Sequence, residues 1–96
     1  MKTAYIYLVK TALAHGYTVS VWDGEEWQVR RSTSYQAINE AIKSVEEAQL
    51  RFRDSSGQVV GWALVSAYGL EPDETVMDYT VKPWIEEAMQ AAWSTR

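Results

Sequence analysis

The sequence predicts an α+β two-layer sandwich: a four-stranded antiparallel sheet with helices packed mainly on one face. Three observations predict it. Two pairs of short, alternating apolar segments are each joined by a glycine-bearing turn, the mark of hairpins. Each pair is followed by a polar stretch and then by apolar residues at helical spacing. The chain has 96 residues and no cysteine, so one domain spanning residues 1–96 is expected, without a disulfide framework. The element order is read as α-ββ-α-ββ-α.

The first helix covers Thr3–His15. Ile6, Val9 and Leu13, with Tyr5, Leu8 and Ala12 beside them, form its apolar stripe, and Gly16 stands where a C′ glycine ends a helix. In the next segment, Tyr17, Val19 and Val21 alternate with Thr18, Ser20 and Trp22. Asp23-Gly24 makes the turn, and Trp27–Arg31 returns with Trp27 and Val29 inward. Ser32-Thr33-Ser34 supplies N-caps for a second helix with Ala37, Ile38, Ala41, Ile42 and Val45 on its buried face.

In the second hairpin Leu50 and Phe52 alternate with Arg51 and Arg53, Asp54–Gly57 turns, and Val59–Tyr68 returns as the most apolar strand, expected to be central. Its register stays open: either Trp62, Leu64 and Tyr68 or Val59, Ala63 and Val65 share the outward face. Residues Gly69–Tyr79 read as an acidic loop. The last helix has Pro83 near its start and a stripe of Ile85, Ala88, Met89 and Ala92. Gly61, inside a strand, marks a bulge or a closely packed helix.

Composition narrows the chemistry. Without cysteine there is no thiol nucleophile and no Cys-ligated metal, and a single histidine removes multi-histidine sites. Nine basic against 13 acidic residues give a net charge of −4, which disfavours a generic duplex-DNA binder. No apolar run approaches a membrane span or a signal segment, so a cytoplasmic protein with no membrane partner is expected. His15 with Asp23 or Asp78 as orienter lacks the spacing of a catalytic set, and no serine is flanked by nucleophile-elbow glycines. Glu71, Asp73, Glu74 and Asp78 lack the ligand spacing of a calcium loop, and no Gly-Lys-Ser/Thr phosphate loop follows any glycine. No enzyme activity, cofactor or metal is therefore expected.

The remaining constellation lies on the sheet. With Tyr17, Val19, Val21, Trp27, Val29, Leu50 and Phe52 facing the helices, the other face carries Thr18, Ser20, Trp22, Gln28, Arg30, Arg51 and Arg53. Three of the five arginines and at least one of the five tryptophans then share one surface. Trp and Arg are favoured anchors of protein interfaces, so Trp22, Arg30, Arg51 and Arg53, flanked by Asp73 and Glu74 of the acidic loop, are the expected binding residues. A second copy of the chain would suit the same face. Single-stranded nucleic acid is the alternative ligand, through stacking on Trp and clamping by Arg. Trp27, Trp84 and Trp93 are expected in the core and at its rim, and Trp62 is undecided.

Two blocks carry a resemblance. Gly16–Ile42, GYTVSVWDGEEWQVRRSTSYQAINEAI, and Leu50–Trp62, LRFRDSSGQVVGW, followed by the loop ending in Asp78-Tyr79-Thr80, resemble a family of small proteins encoded by phages and prophages of proteobacteria. The family offers no active-site motif, so no residue role is carried over. The resemblance implies an accessory protein in a bacterial cytoplasm, acting by contact with a host enzyme or defence complex.

Overall fold

The computed structural model describes residues 4–68 and 75–94. It is an α+β fold of α1 (Ala4–Ala14), β1 (Thr18–Trp22), β2 (Trp27–Ser32), α2 (Tyr35–Lys43), β3 (Ala48–Arg53), β4 (Val59–Val65), β5 (Val76–Tyr79) and α3 (Pro83–Ser94). The sheet has five strands, not the expected four, all antiparallel in the order β2-β1-β3-β4-β5. The extra strand lies at the end of the segment expected to be loop. It is only four residues long, and its ladder skips Met77: Val65 pairs with Val76 but Leu64 with Asp78. A short edge strand with a bulge has no alternation to read. Strand β3, not β4, is therefore the middle of the sheet, and β4 is interior beside it.

Local chemistry sets the ends of the elements. Helix α1 closes with Gly16 at φ 81°, Tyr17 N–H on Ala12 C=O and Gly16 N–H on Leu13 C=O, both at 3.0 Å, the pairing of a Schellman end. Ser34 caps α2, its hydroxyl accepting the Ala37 N–H at 3.3 Å. Asp23 folds the first hairpin turn by accepting the Glu25 and Glu26 N–H groups, each at 2.8 Å. Asp54 does the same in the second, accepting from Ser56 and Gln58.

Val19, Val21, Leu50, Phe52, Ala63 and Val65 turn one face of the sheet into a continuous apolar floor, covered by Leu8, Val9, Ile38, Ile42, Ile85 and Met89 from the helices. Each large aliphatic or aromatic side chain buried here contributes roughly 1.5–3 kcal/mol. Gly61 lets α3 come down on β4: a Cβ there would stand 2.8 Å from Ile85 Cδ1. Trp84 fills the end of the core as expected, its ring edge-on to Phe52 at 4.9 Å and its indole N–H on Val60 C=O at 3.1 Å. Trp93 does not; it is 39% exposed and lies outside the core cluster. It follows Ala92 on the helix, and Ala92 already faces inward.

Candidate functional site

Paired residues of neighbouring strands share a face, so the ladder register arranges the side of the sheet away from the helices into rows. One row crosses all five strands: Trp27 opposite Trp22, Trp22 opposite Gln49, Gln49 opposite Leu64, Leu64 opposite Asp78. The next row is Ser20, Arg51 and Trp62, and beyond it lie Thr18, Arg53 and Val59. Trp22 and Trp27 meet edge to face at 5.0 Å, and the Arg51 guanidinium lies over the Trp27 ring, 5.2 Å from its centre. That spacing is a cation–π contact.

Two bulges in β2 make this arrangement. Val21 pairs with Val29 and Trp22 with Trp27, leaving Gln28 as an extra residue; its amide turns out to the Asp23 carboxylate at 2.6 Å. The skip reverses the parity of the strand. Trp27, expected inward with Val29, instead joins Trp22 on the outer face. Further along, Val19 pairs with Ser32, so Arg30 and Arg31 together oppose Ser20. Arg31 takes a left-handed conformation, φ 47°, and its N–H donates to the buried Ser20 hydroxyl at 2.9 Å. Gln28, expected on the outer face, belongs to the first bulge.

Strand β4 resolves its open register by mixing the two sets. Ala63 and Val65 are buried, Trp62 and Leu64 face out, and the bulge at Val60 swings Val59 out with them. Trp62 is held by its backbone: its N–H donates to Thr80 Oγ1 and its C=O accepts the Thr80 N–H, each at 3.0 Å. Tyr68 lies beyond the strand, its hydroxyl on the Lys43 carbonyl.

Between the rows lies a half-open cleft of about 590 Å³ whose walls include Trp27, Arg51, Val59, Trp62, Leu64 and Asp78. It borders a smaller hollow of about 240 Å³ between Trp22, Trp27, Gln49 and Arg51. Of the residues expected to bind, the fold therefore brings Trp22 and Arg51 together. Arg53 is on the same face, one row on, but its guanidinium is tied to the Gly57 carbonyl at 2.8 Å within its own hairpin. Arg30 is exposed on the edge strand and does not line the cleft. Asp73 and Glu74 lie outside the described residues. Trp27, Trp62 and Asp78 are the site residues that the alternation does not assign; the doubled Arg30-Arg31 in β2 is the one visible sign that its pattern breaks.

The charges of the face are unequally engaged. Arg51 and Arg53 each have an internal partner. Among the described residues, the Asp78 carboxylate accepts only the Tyr79 N–H, at 2.9 Å, and makes no ion pair. The Trp62 ring, 40% exposed, stacks on no described residue and carries no cation from one. Away from this face, His15 stacks on Tyr17 at 5.4 Å and bonds neither Asp23 nor Asp78. Among the described residues no group of three or more His, Asp or Glu is placed to hold a metal ion, and no helix is long and apolar enough to cross a membrane.

Comparison with protein-family models, with curated proteins and with solved structures gives no match to this chain.

Proposed function

We propose that the chain binds another protein through the helix-free face of its sheet, without catalysis, and that the partner is a bacterial host factor. The observation that carries this reading is the placement of Trp27 and Trp62 with Arg51 around one cleft, with Trp22 beside them in the adjoining hollow. These are the residue types that dominate interface energetics when desolvated by a partner. The phage or prophage setting rests on the resemblance of the Gly16–Ile42 and Leu50–Trp62 blocks. Single-stranded nucleic acid is the weaker reading, because the overall charge is −4. Phosphate binding depends on free positive potential.

Affinity capture from a proteobacterial lysate tests the proposal, with the chain carrying Trp62→Ala and Arg51→Ala compared with the unaltered chain. Loss of an interfacial tryptophan anchor costs about 2 kcal/mol or more, a factor of roughly 30 in affinity, so the partner should drop out of the variant's eluate. Equal recovery by both proteins puts the contact elsewhere. A mass that doubles with concentration in sedimentation, and reverts on Trp62→Ala, makes a second copy of the chain the occupant instead.

A further inference from the structure

Resting on that protein-binding reading, we infer that the cleft recognises a cationic side chain, arginine or lysine, presented by the partner between Trp62 and Asp78. The face has an unequal stock of unsatisfied groups. The two arginines nearest the cleft are already engaged: Arg51 lies on Trp27 and Arg53 on the Gly57 carbonyl. Among the described residues of the cleft, the Trp62 ring stacks on nothing, and the Asp78 carboxylate accepts only the Tyr79 N–H and has no cationic partner. They are diagonal neighbours across β4 and β5, since Asp78 pairs with Leu64, two residues from Trp62 on the same face. Diagonal neighbours lie about 7–8 Å apart, within reach of a tryptophan ring and a carboxylate converging on one group. A π face beside an acceptor is the environment that suits a guanidinium or ammonium group. Leu64 adjoins both, opposite Asp78 and two residues along β4 from Trp62, and offers apolar surface to the side chain's methylene stem. The net charge of −4 adds a long-range attraction for a basic partner.

Arg51 stands directly opposite Trp62 on β3, but its guanidinium lies over the Trp27 ring and leaves the Trp62 ring without a cation. The chain therefore carries a template for its own ligand: Arg51 on Trp27 shows the geometry that a foreign cation adopts on Trp62.

The test is an NMR titration of the 15N-labelled full chain, following the five tryptophan indole N–H signals. The probes are two blocked pentapeptides, alike except for a central arginine in one and a central glutamate in the other. The arginine peptide should shift the Trp62 indole signal, identified by its absence in Trp62→Phe. Asp78→Asn, which keeps an acceptor for the Tyr79 N–H, should weaken that binding about two- to fivefold, as expected for an exposed ion pair. Raising the salt should remove the same margin, and Trp62→Ala should lower the affinity by a further factor of about three to five. If the glutamate peptide binds at the same indole as tightly, or Asp78→Asn leaves the arginine peptide unaffected, the cation pocket is overturned while the binding face stands. If neither peptide moves the Trp62 indole signal, the cation pocket is likewise overturned, and the binding face is decided separately by the affinity capture.

Discussion

Gly61→Ala is a substitution whose outcome depends on one close approach. Alanine relieves the backbone entropy of a strand glycine and on that ground stabilises by roughly 0.5–1 kcal/mol. Against it, the new Cβ stands 2.8 Å from Ile85 Cδ1, 3.2 Å from Thr80 Oγ1 and 3.4 Å from Trp84 Cζ2. Ile85 is fully buried, and Trp84 is pinned by its bond to the Val60 carbonyl and its contact with Phe52, so neither has free space to move into. Overpacking of this kind costs about 1–3 kcal/mol, leaving a net loss of about 1 kcal/mol, or about 5 °C in the melting midpoint of a chain this size. A double-mutant cycle identifies the cause. Ile85→Val removes the clashing methyl; alone it costs about 1 kcal/mol, and in the Gly61→Ala background it should cost at least ~0.5 kcal/mol less. Thermal melts of the four proteins measure this. A Gly61→Ala chain that melts at or above the parent, or losses that simply add, would refute the reasoning.

The turns and bulges yield two further expected outcomes. The Asp23 carboxyl is held below its ordinary value of 3.8 chiefly by the Glu26 and Glu25 N–H groups, and Asp54 likewise by Ser56 and then Gln58; each depressed folded value stabilises the fold above about pH 4, and that stability is lost as pH falls through it. A chain with Asp23→Asn and Asp54→Asn should therefore show a flatter fall of melting midpoint between about pH 5 and pH 2.5 than the parent, and parallel curves would exclude the two turns as its source. Ser20→Ala removes the acceptor for the Arg31 N–H in the bulge and should cost about 1 kcal/mol, seen as a drop in midpoint with faster amide exchange at Arg31; unchanged exchange there would show the bulge does not depend on the hydroxyl.

The helices are legible in the sequence because each carries two agreeing signals. Gly16 and the apolar spacing before it mark α1 and its end, although the buried stripe centres on Tyr5, Leu8, Val9 and Ala12, with Ile6 and Leu13 only half-buried. Ser34 and the Ile38, Ala41, Ile42 spacing mark α2, and Pro83 with the Ile85 stripe marks α3. Strand β3 is legible on both faces, because Leu50 and Phe52 alternate with Arg51 and Arg53 through an unbroken ladder with β1. Trp22 and Arg51 come from that same regularity. Trp62 and Leu64 also lie in a regular stretch of ladder, opposite Arg51 and Gln49, and only the open register of β4 hid their facing; Trp27, Val59 and Asp78 lie next to or beyond irregularities.

Alternation tells which face a residue takes only as far as the next bulge, and here every ladder except β1–β3 contains a bulge or register shift. Each extra residue reverses the facing of the strand beyond it. Without the skip at Gln28, Trp27 would point into a core layer already filled by Val19, Val21, Leu50 and Phe52, and Arg51 would have no ring to rest on. Without the one at Val60, Val59 would leave the wall of the cleft. Without the one at Met77, Asp78 would not share a row with Leu64. These three irregularities place an aromatic ring, an apolar wall and a carboxylate around a cleft that regular strands would not have formed. The same bulges roughen the edge strands β2 and β5, which disfavours pairing with another sheet edge. For the proposed partner this leaves the face of the sheet, where Trp62 and Asp78 are exposed, as the surface open to contact.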